Sequence, residues 1–187
     1  MVVNYIAATP EYATAKIAVW WDLKGCPIPE GYDARRVRPS MEAAFKQRGY
    51  SGPVSITAYG DHKQTPDHLL RGLSSTGVAL AHTIPEAHCN IMRLDWMDWQ
   101  DCNPPPATMM LIFDGVDNVF SPNLVLEQQM TNYNLFVAYS YRPCKMSALV
   151  TSAEWLWESL LAGKRTQRFP KEETFEESVP DGFWSSS

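Results

Sequence analysis

Acidic side chains that directly follow apolar, strand-like runs are the residues of this sequence best placed to do chemistry. Asp22 follows the apolar run 17–21, and Asp114 and Asp117 come after the apolar run 108–113. Because the carboxyl ends of parallel strands meet at one edge of a sheet, we expect these carboxylates to converge there. Converging carboxylates repel one another, and a divalent cation relieves the repulsion. Mg²⁺ or Mn²⁺ is the expected occupant, because carboxylate and water oxygens suit these hard ions.

A metal held at this edge predicts hydrolysis of a phosphodiester. The ion would bind a phosphate oxygen, help to deprotonate a water molecule and stabilise the leaving oxygen in an in-line reaction. Our hypothesis gives the metal to Asp22, Asp114 and Asp117. It adds Asp95 as a further catalytic residue, which orients a water molecule or a second ion.

Each of these carboxylates also has a structural interpretation. Asp22 can cap the turn that follows it, and Asp114 and Asp117 begin Asp-Gly and Asp-Asn dipeptides that form turns on their own. Asp95 can be a solvated residue on a helix face, which is the common fate of a helical Asp. The residues alone leave metal binding and local structure open as two interpretations.

The elements that must position these residues alternate between strand and helix patterns along the chain. Apolar or β-branched runs predict strands at 17–21, 54–59, 78–81, 108–113 and 135–139. Helical spacing predicts helices at 33–48 with a break or kink at Pro39, and at 65–73, 87–101, 121–130 and 152–161. The alternation predicts an α/β fold with a three-layer, mostly parallel sheet of about five strands flanked by helices.

Length and composition place these elements in one domain. The chain has 187 residues, of which 45% are hydrophobic, so a single domain with a full core is expected. We assign this domain to residues 15–163, with a flexible N-terminal arm at 1–14 and a flexible acidic tail at 164–187.

Cysteine spacing, histidine spacing and hydropathy argue against several classes of protein. The four cysteines form no C-x-x-C pair, which argues against a zinc ribbon. No H-x-x-x-H spacing is found among the four histidines, so no catalytic role is assigned to His62, His68, His82 or His88. No apolar run approaches the length of about 18 residues that a membrane helix needs. Because the N-terminus lacks a basic and then apolar leader, we expect an intracellular, cytoplasmic protein without membrane contact.

Four segments carry a resemblance to a known family. They are Trp-Asp-Leu-Lys-Gly-Cys-Pro-Ile-Pro at 21–29, a run at 52–61 that ends in Ala-Tyr-Gly-Asp, Asn-Pro-Pro-Pro-Ala at 103–107, and Trp-Leu-Trp-Glu-Ser-Leu-Leu-Ala-Gly at 155–163. In this order they resemble plant NYN domains, the PIN-like nucleases that include the limkain-type meiosis regulator and mRNA stability factor. The resemblance implies a PIN-like fold and metal-dependent cleavage of single-stranded or structured RNA, in RNA turnover and the regulation of gene expression.

The resemblance extends to individual residues of this chain. The family's first catalytic Asp falls on Asp22, and a later Asp of its helix matches Asp95. Gly25 stands where the family usually has Asn, and Cys89 stands where the family helix opens with Asp. The family's Ser-Gly-Asp-x-Asp-Phe-Ser after the fourth strand is replaced by Phe-Asp-Gly-Val-Asp-Asn-Val-Phe-Ser at 113–121.

These departures leave two hypotheses from different classes. In the first, the chain is a Mg²⁺- or Mn²⁺-dependent endoribonuclease, with Asp114 and Asp117 standing in for the family's acidic motif. In the second, it is a catalytically degenerate NYN domain that binds RNA or protein partners. Some relatives are associated with peroxisomes, so the resemblance alone implies that compartment as an alternative location.

Contact with RNA has to come from a local feature of the surface. The formal net charge of -5 argues against a generally basic surface. Arg35, Arg36 and Arg38 form a dense basic stretch close in sequence to Asp22, and we predict that they bind the RNA backbone. A solvated helix face is the alternative interpretation of this stretch.

Overall fold

The structure, a computed structural model, describes residues 8–115, 132–141 and 151–163. Its strands are β1 (Ile17–Asp22), β2 (Val54–Gly60), β3 (Ala79–His82), β4 (Thr108–Ile112), β5 (Asn134–Tyr139) and β6 (Ala153–Leu156). Its helices are α1 (Pro10–Ala13), a 3₁₀ helix (Ala34–Arg36), α2 (Val37–Gln47), α3 (Asp67–Ser74), α4 (His88–Cys102) and α5 (Trp157–Leu161).

The described strands form one sheet in the order β3-β2-β1-β4-β5-β6, and every neighbouring pair is parallel. The predicted α/β fold is therefore confirmed, with six strands within the described ranges where about five were expected. The predicted helix at 121–130 lies outside the described residues.

The predicted helix at 152–161 is wrong in its first half, which is strand β6. The backbone of β6 pairs with β5 from Phe136 and Ala153 to Tyr139 and Leu156. Ala153 and Trp155 are buried while the residues between and after them are half-buried, an alternation with the period of a strand. This segment is a strand because its backbone N–H and C=O groups pair with those of the neighbouring strand β5. The pairing also buries Trp155.

Strand β1 distributes its side chains between two cores, one on each face of the sheet. Val19 and Trp21 belong to the core that α2 and α5 cover, and Ala18 and Trp20 belong to the core that α4 covers. Because both faces are buried, the strand is apolar at every position before Asp22.

The break predicted at Pro39 takes the form of a change of helix type two residues earlier. The side chain of Asp33 caps the 3₁₀ helix by accepting a hydrogen bond from the Arg35 N–H at 3.0 Å, and α2 begins at Val37. Pro39 thus lies in the first turn of α2, where a missing N–H costs nothing.

Part of the predicted N-terminal arm is folded onto the domain. Helix α1 lies within it, Ala8 and Tyr12 pack against the core, and the Ser51 N–H donates to Ala13 O at 2.7 Å. The domain limits proposed from the sequence remain predictions, and the proposed tail lies outside the described residues.

The strand order places a switch point between β1 and β4. From β1 the chain continues to β2 and β3 on one side, whereas β4, β5 and β6 lie on the other. Open parallel sheets bind ligands in the crevice outside the carboxyl ends of the strands at such a point. Among the described residues, no helix is long and apolar enough to cross a bilayer.

Candidate active site at the carboxyl edge of the sheet

The loop after β1 is held by two indole groups from the core beneath it. Trp21 Nε1 donates to Cys26 O at 2.8 Å, and Trp157 Nε1 donates to Pro27 O at 2.8 Å. The two indole rings pack against each other with centroids 4.9 Å apart. These contacts give the loop a defined path past the end of β1, because buried indole N–H groups need acceptors and the loop carbonyls supply them.

Asp22 is delivered to the edge by β1 and is almost completely buried there. Its side chain is 8% exposed, and its Oδ1 accepts a hydrogen bond from the Lys24 N–H at 2.8 Å. The same oxygen lies 2.9 Å from Nε2 of His88, whose side chain is also 8% exposed. The predicted turn cap is therefore present, and a buried imidazole shares the capping oxygen.

His88 is the first residue of α4 and is held from its other side by Thr83. The Thr83 hydroxyl lies 2.8 Å from His88 Nδ1, and the Thr83 N–H donates to Gly60 O at the end of β2. Nε2 makes no hydrogen bond within the part of the chain that the structure describes, so its contact with Asp22 Oδ1 is electrostatic. The three side chains form a buried row from hydroxyl to imidazole to carboxylate.

Gly25 makes the position of Asp22 sterically feasible. A Cβ at residue 25 would lie 2.6 Å from Asp22 Oδ2 and 3.4 Å from its Cγ. The same Cβ would lie 3.9 Å from Cβ of Asp114, so the two carboxylates flank Gly25. The Asn that the NYN resemblance places at this position does not fit beside Asp22 in its present conformation.

Asp114 follows β4 and is half-buried by different partners. Its Oδ1 accepts from the Ser140 N–H at 2.6 Å and lies 3.5 Å from the Cys26 Sγ. The Ser140 hydroxyl donates to Gly25 O at 3.1 Å. Asp114 therefore joins the end of β4 to the residue that follows β5.

The thiols of Cys26 and Cys89 are poor ligands for the expected ions. The pKa of Cys26 is raised to about 12, mainly by burial; the negative charges of Asp114 and Asp22 act in the same direction, against a hydrogen bond from Ser140 that lowers the pKa. Burial and the charge of Asp22 also raise the pKa of Cys89. Mg²⁺ and Mn²⁺ prefer oxygen ligands to sulfur, and the raised pKa values further disfavour the thiolate that a metal ion binds.

Asp95 faces β2 from the middle of α4. The Tyr59 hydroxyl donates to Asp95 Oδ2 at 2.9 Å, and Tyr59 is the register partner of Asp22 on the neighbouring strand. Burial raises the pKa of Tyr59, and the hydrogen bond to Asp95 and its charge act in the same direction. Asp95 is thus near the edge, with one carboxylate oxygen engaged by a protein hydroxyl.

The described residues do not fit a divalent cation. They contain no group of three His, Cys, Asp or Glu side chains arranged to hold a metal ion. Asp22 and Asp114 come together at Gly25, but their Oδ1 atoms are taken by protein donors. The third proposed ligand, Asp117, lies outside the described residues.

The three predicted RNA-binding arginines have different surroundings. Arg38 is engaged within the fold, because it pairs with Glu42 at 2.9 Å and donates to Val54 O at 2.8 Å. Arg36 lies 5.5 Å from the centre of the Tyr32 ring, and both Arg35 and Arg36 are exposed. Arg35 also lines a cavity of about 520 Å³ between the loop after β1 and α3.

Sequence reasoning missed His88 and Thr83 as members of the site. Neither residue has a motif spacing, and only the fold brings them to Asp22. One signal was available for His88: it immediately precedes Cys89, which stands where the resemblance expects an acidic residue.

The fold and the site define a class of protein. A parallel sheet with this strand order is a Rossmann-like α/β domain, a class whose members bind ligands outside the carboxyl ends of the strands. The family model for the NYN domain matches residues 16–156, and the chain therefore belongs to the NYN domain family. This is a family of RNA-specific nucleases that are generally metal-dependent. No curated protein matches the chain.

Proposed function

We propose that this chain is an RNA-binding NYN domain that does not cleave RNA. The buried contact between His88 and Asp22 carries the proposal, because it occupies the carboxylate on which metal-dependent hydrolysis would depend. The thiol of Cys89 supports it further, since Mg²⁺ and Mn²⁺ prefer a carboxylate oxygen to sulfur. We retain the plant limkain type and a role in the regulation of gene expression as parts of this proposal.

The RNA contacts are proposed to come from exposed cations around the loop after β1. Lys24 is exposed, and its backbone N–H donates to Asp22 Oδ1 at 2.8 Å, so its side chain leaves the loop at the Asp22 end. Arg35 and Arg36 extend the positive charge into the 3₁₀ helix that follows the loop. A local cluster of this kind binds phosphates even on a chain of net charge -5, and its affinity depends on salt.

The second candidate function is a Mg²⁺- or Mn²⁺-dependent endoribonuclease. One observation favours it: Asp22 and Asp114 flank Gly25 at the switch point of the sheet. Activity would require Asp117 as the third metal ligand and displacement of His88 from Asp22. The ion would then supply a bound phosphate oxygen and an activated water molecule.

Fluorescence anisotropy with a labelled single-stranded RNA and a labelled hairpin tests the proposal. We expect binding in EDTA, with no cleavage of either RNA when Mn²⁺ or Mg²⁺ is added. Lys24→Glu and Arg36→Glu should each weaken binding and lower the slope of log affinity against log salt by about 0.7 for the single strand.

Lys16→Glu is the matched control, because Lys16 precedes β1 and lies at the opposite edge of the sheet. It makes the same charge change and should leave the affinity unchanged. Metal-dependent cleavage that Asp22→Asn abolishes would overturn the proposal in favour of the endoribonuclease. Failure of the folded protein to bind either RNA would also overturn it and direct attention to protein partners.

A further inference from the structure

We propose that His88 is a positioning residue that occupies the place of a divalent cation on Asp22. This inference rests on the proposed function, and it names the residue that makes the site independent of metal. It is carried by the contacts of Asp22, by the contact that orients His88, and by the side chain next to His88.

One oxygen of Asp22 is already engaged by the protein. Oδ1 accepts the Lys24 N–H at 2.8 Å and lies 2.9 Å from His88 Nε2. Oδ2 faces the space beside Gly25, where an added Cβ would lie 2.6 Å from it. An ion that binds Asp22 through Oδ1 must therefore first move His88.

Thr83 keeps the imidazole in the orientation that this role requires. Its hydroxyl lies 2.8 Å from Nδ1, and its backbone N–H is tied to Gly60 O at 2.9 Å. When the hydroxyl donates to Nδ1, the neutral ring carries its proton on Nε2, the nitrogen that lies 2.9 Å from Asp22 Oδ1. Positive charge density then meets the carboxylate where a cation would otherwise lie.

The residue that follows His88 in the chain is the third observation that supports the inference. His88 and Cys89 are consecutive in the first turn of α4, and the charge of Asp22 raises the pKa of the Cys89 thiol. Cys89 stands where the resemblance to plant NYN domains implies an Asp, so one position lacks a carboxylate while the adjacent one supplies an imidazole. An Asp at position 89 alone should not give metal binding, because His88 still lies against Asp22 Oδ1.

Isothermal titration with Mn²⁺ tests the inference on the full chain. We compare the unchanged protein, Cys89→Asp, and the double variant His88→Ala with Cys89→Asp. The double variant should bind Mn²⁺ about tenfold to a hundredfold more tightly than Cys89→Asp alone. His68→Ala with Cys89→Asp is the matched control, since His68 is an exposed imidazole, and it should behave as Cys89→Asp does.

A second variant covers the case in which His88→Ala fails to fold. Thr83→Val with Cys89→Asp keeps the imidazole but removes the hydroxyl that orients it, and this variant should also bind Mn²⁺ more tightly than Cys89→Asp. Equal affinities of Cys89→Asp and the folded double variants would overturn the inference. So would tight Mn²⁺ binding by the unchanged protein that Asp22→Asn abolishes.

RNA binding in EDTA, measured on the same proteins, separates this inference from the proposed function. If the unchanged protein binds no RNA but the Mn²⁺ affinities follow the expected order, the proposed function fails and the role of His88 stands. If RNA is bound but the Mn²⁺ affinities are equal, the role of His88 fails and RNA binding stands.

Discussion

Asp22 and Asp114 end neighbouring parallel strands, yet the protein stabilises them in different ways. Asp22 is buried against a side chain, His88, which comes from α4. Asp114 is half-buried against a backbone N–H, that of Ser140, which comes from the end of β5. A side-chain partner can be exchanged by substitution, whereas a backbone partner persists as long as the strands pair. The site can therefore change its chemistry at Asp22 without changing its fold.

The largest loss of stability is expected from His88→Ala, which removes the side-chain partner of Asp22. Removing the imidazole leaves the Asp22 carboxylate buried with only the Lys24 N–H, which should lower the free energy of unfolding by about 3 kcal/mol. Urea denaturation measures the change. Adding Asp22→Asn to His88→Ala should recover part of the loss, because no unpaired charge then remains buried.

A double-mutant cycle of Asp22→Asn and His88→Ala also measures how much the two side chains stabilise each other. Strictly additive effects of Asp22→Asn and His88→Ala would mean that the imidazole does not stabilise Asp22, and the contrast between the two carboxylates would disappear.

A smaller effect is expected from Asp114→Asn. The Asn side chain keeps an oxygen for the Ser140 N–H and loses only the charge of the acceptor, so we expect a cost of about 1 kcal/mol. The same denaturation measurement applies. A loss larger than that of His88→Ala would reverse the comparison and make Asp114 the more tightly stabilised carboxylate.

Trp157→Phe should cause a similarly small loss of stability. It acts on the loop after β1, which both carboxylates contact. It removes the hydrogen bond to Pro27 O and keeps an aromatic ring, so stability should fall by about 1 kcal/mol. Limited proteolysis should then cut the segment 25–32 sooner than in the unchanged protein. Trp155→Phe serves as the control on the same part of the chain, because its ring packs against Phe45 and Phe136 instead.

The smallest effect on stability arises from the thiol of Cys26, which lies next to Asp114. This effect is absent at neutral pH. The pKa of Cys26 is about 12 in the folded chain against an ordinary value of 9.0, so both states keep the proton below about pH 9. Between these values the unfolded chain loses the proton first, and stability falls as pH rises. Urea denaturation at about pH 8 and about pH 10 should show a larger decrease for the unchanged protein than for Cys26→Ala. Equal decreases would contradict the raised pKa.

Most of the sheet could be predicted because local runs of apolar residues indicate its strands. The run before Asp22 and the run 108–113 are apolar at nearly every position, as strands buried on both faces must be. Strand β6 could not be predicted in this way, since Ala153–Leu156 carries a signal that helix and strand share and pairing with β5 decides it. The same difference holds for the site. Asp22 could be located from its position after the first apolar run, whereas its partner His88 could not be predicted from the sequence.

By itself the sequence determined that a carboxylate would stand at the end of β1 in an α/β domain of the NYN family. Only the tertiary structure decided what that carboxylate meets. His88 lies far from Asp22 along the chain, and the crossing of α4 over β2 and β1 brings its Nε2 to 2.9 Å from Oδ1. Local patterns fix where a strand ends because burial acts residue by residue, but contacts between distant elements depend on how the elements pack.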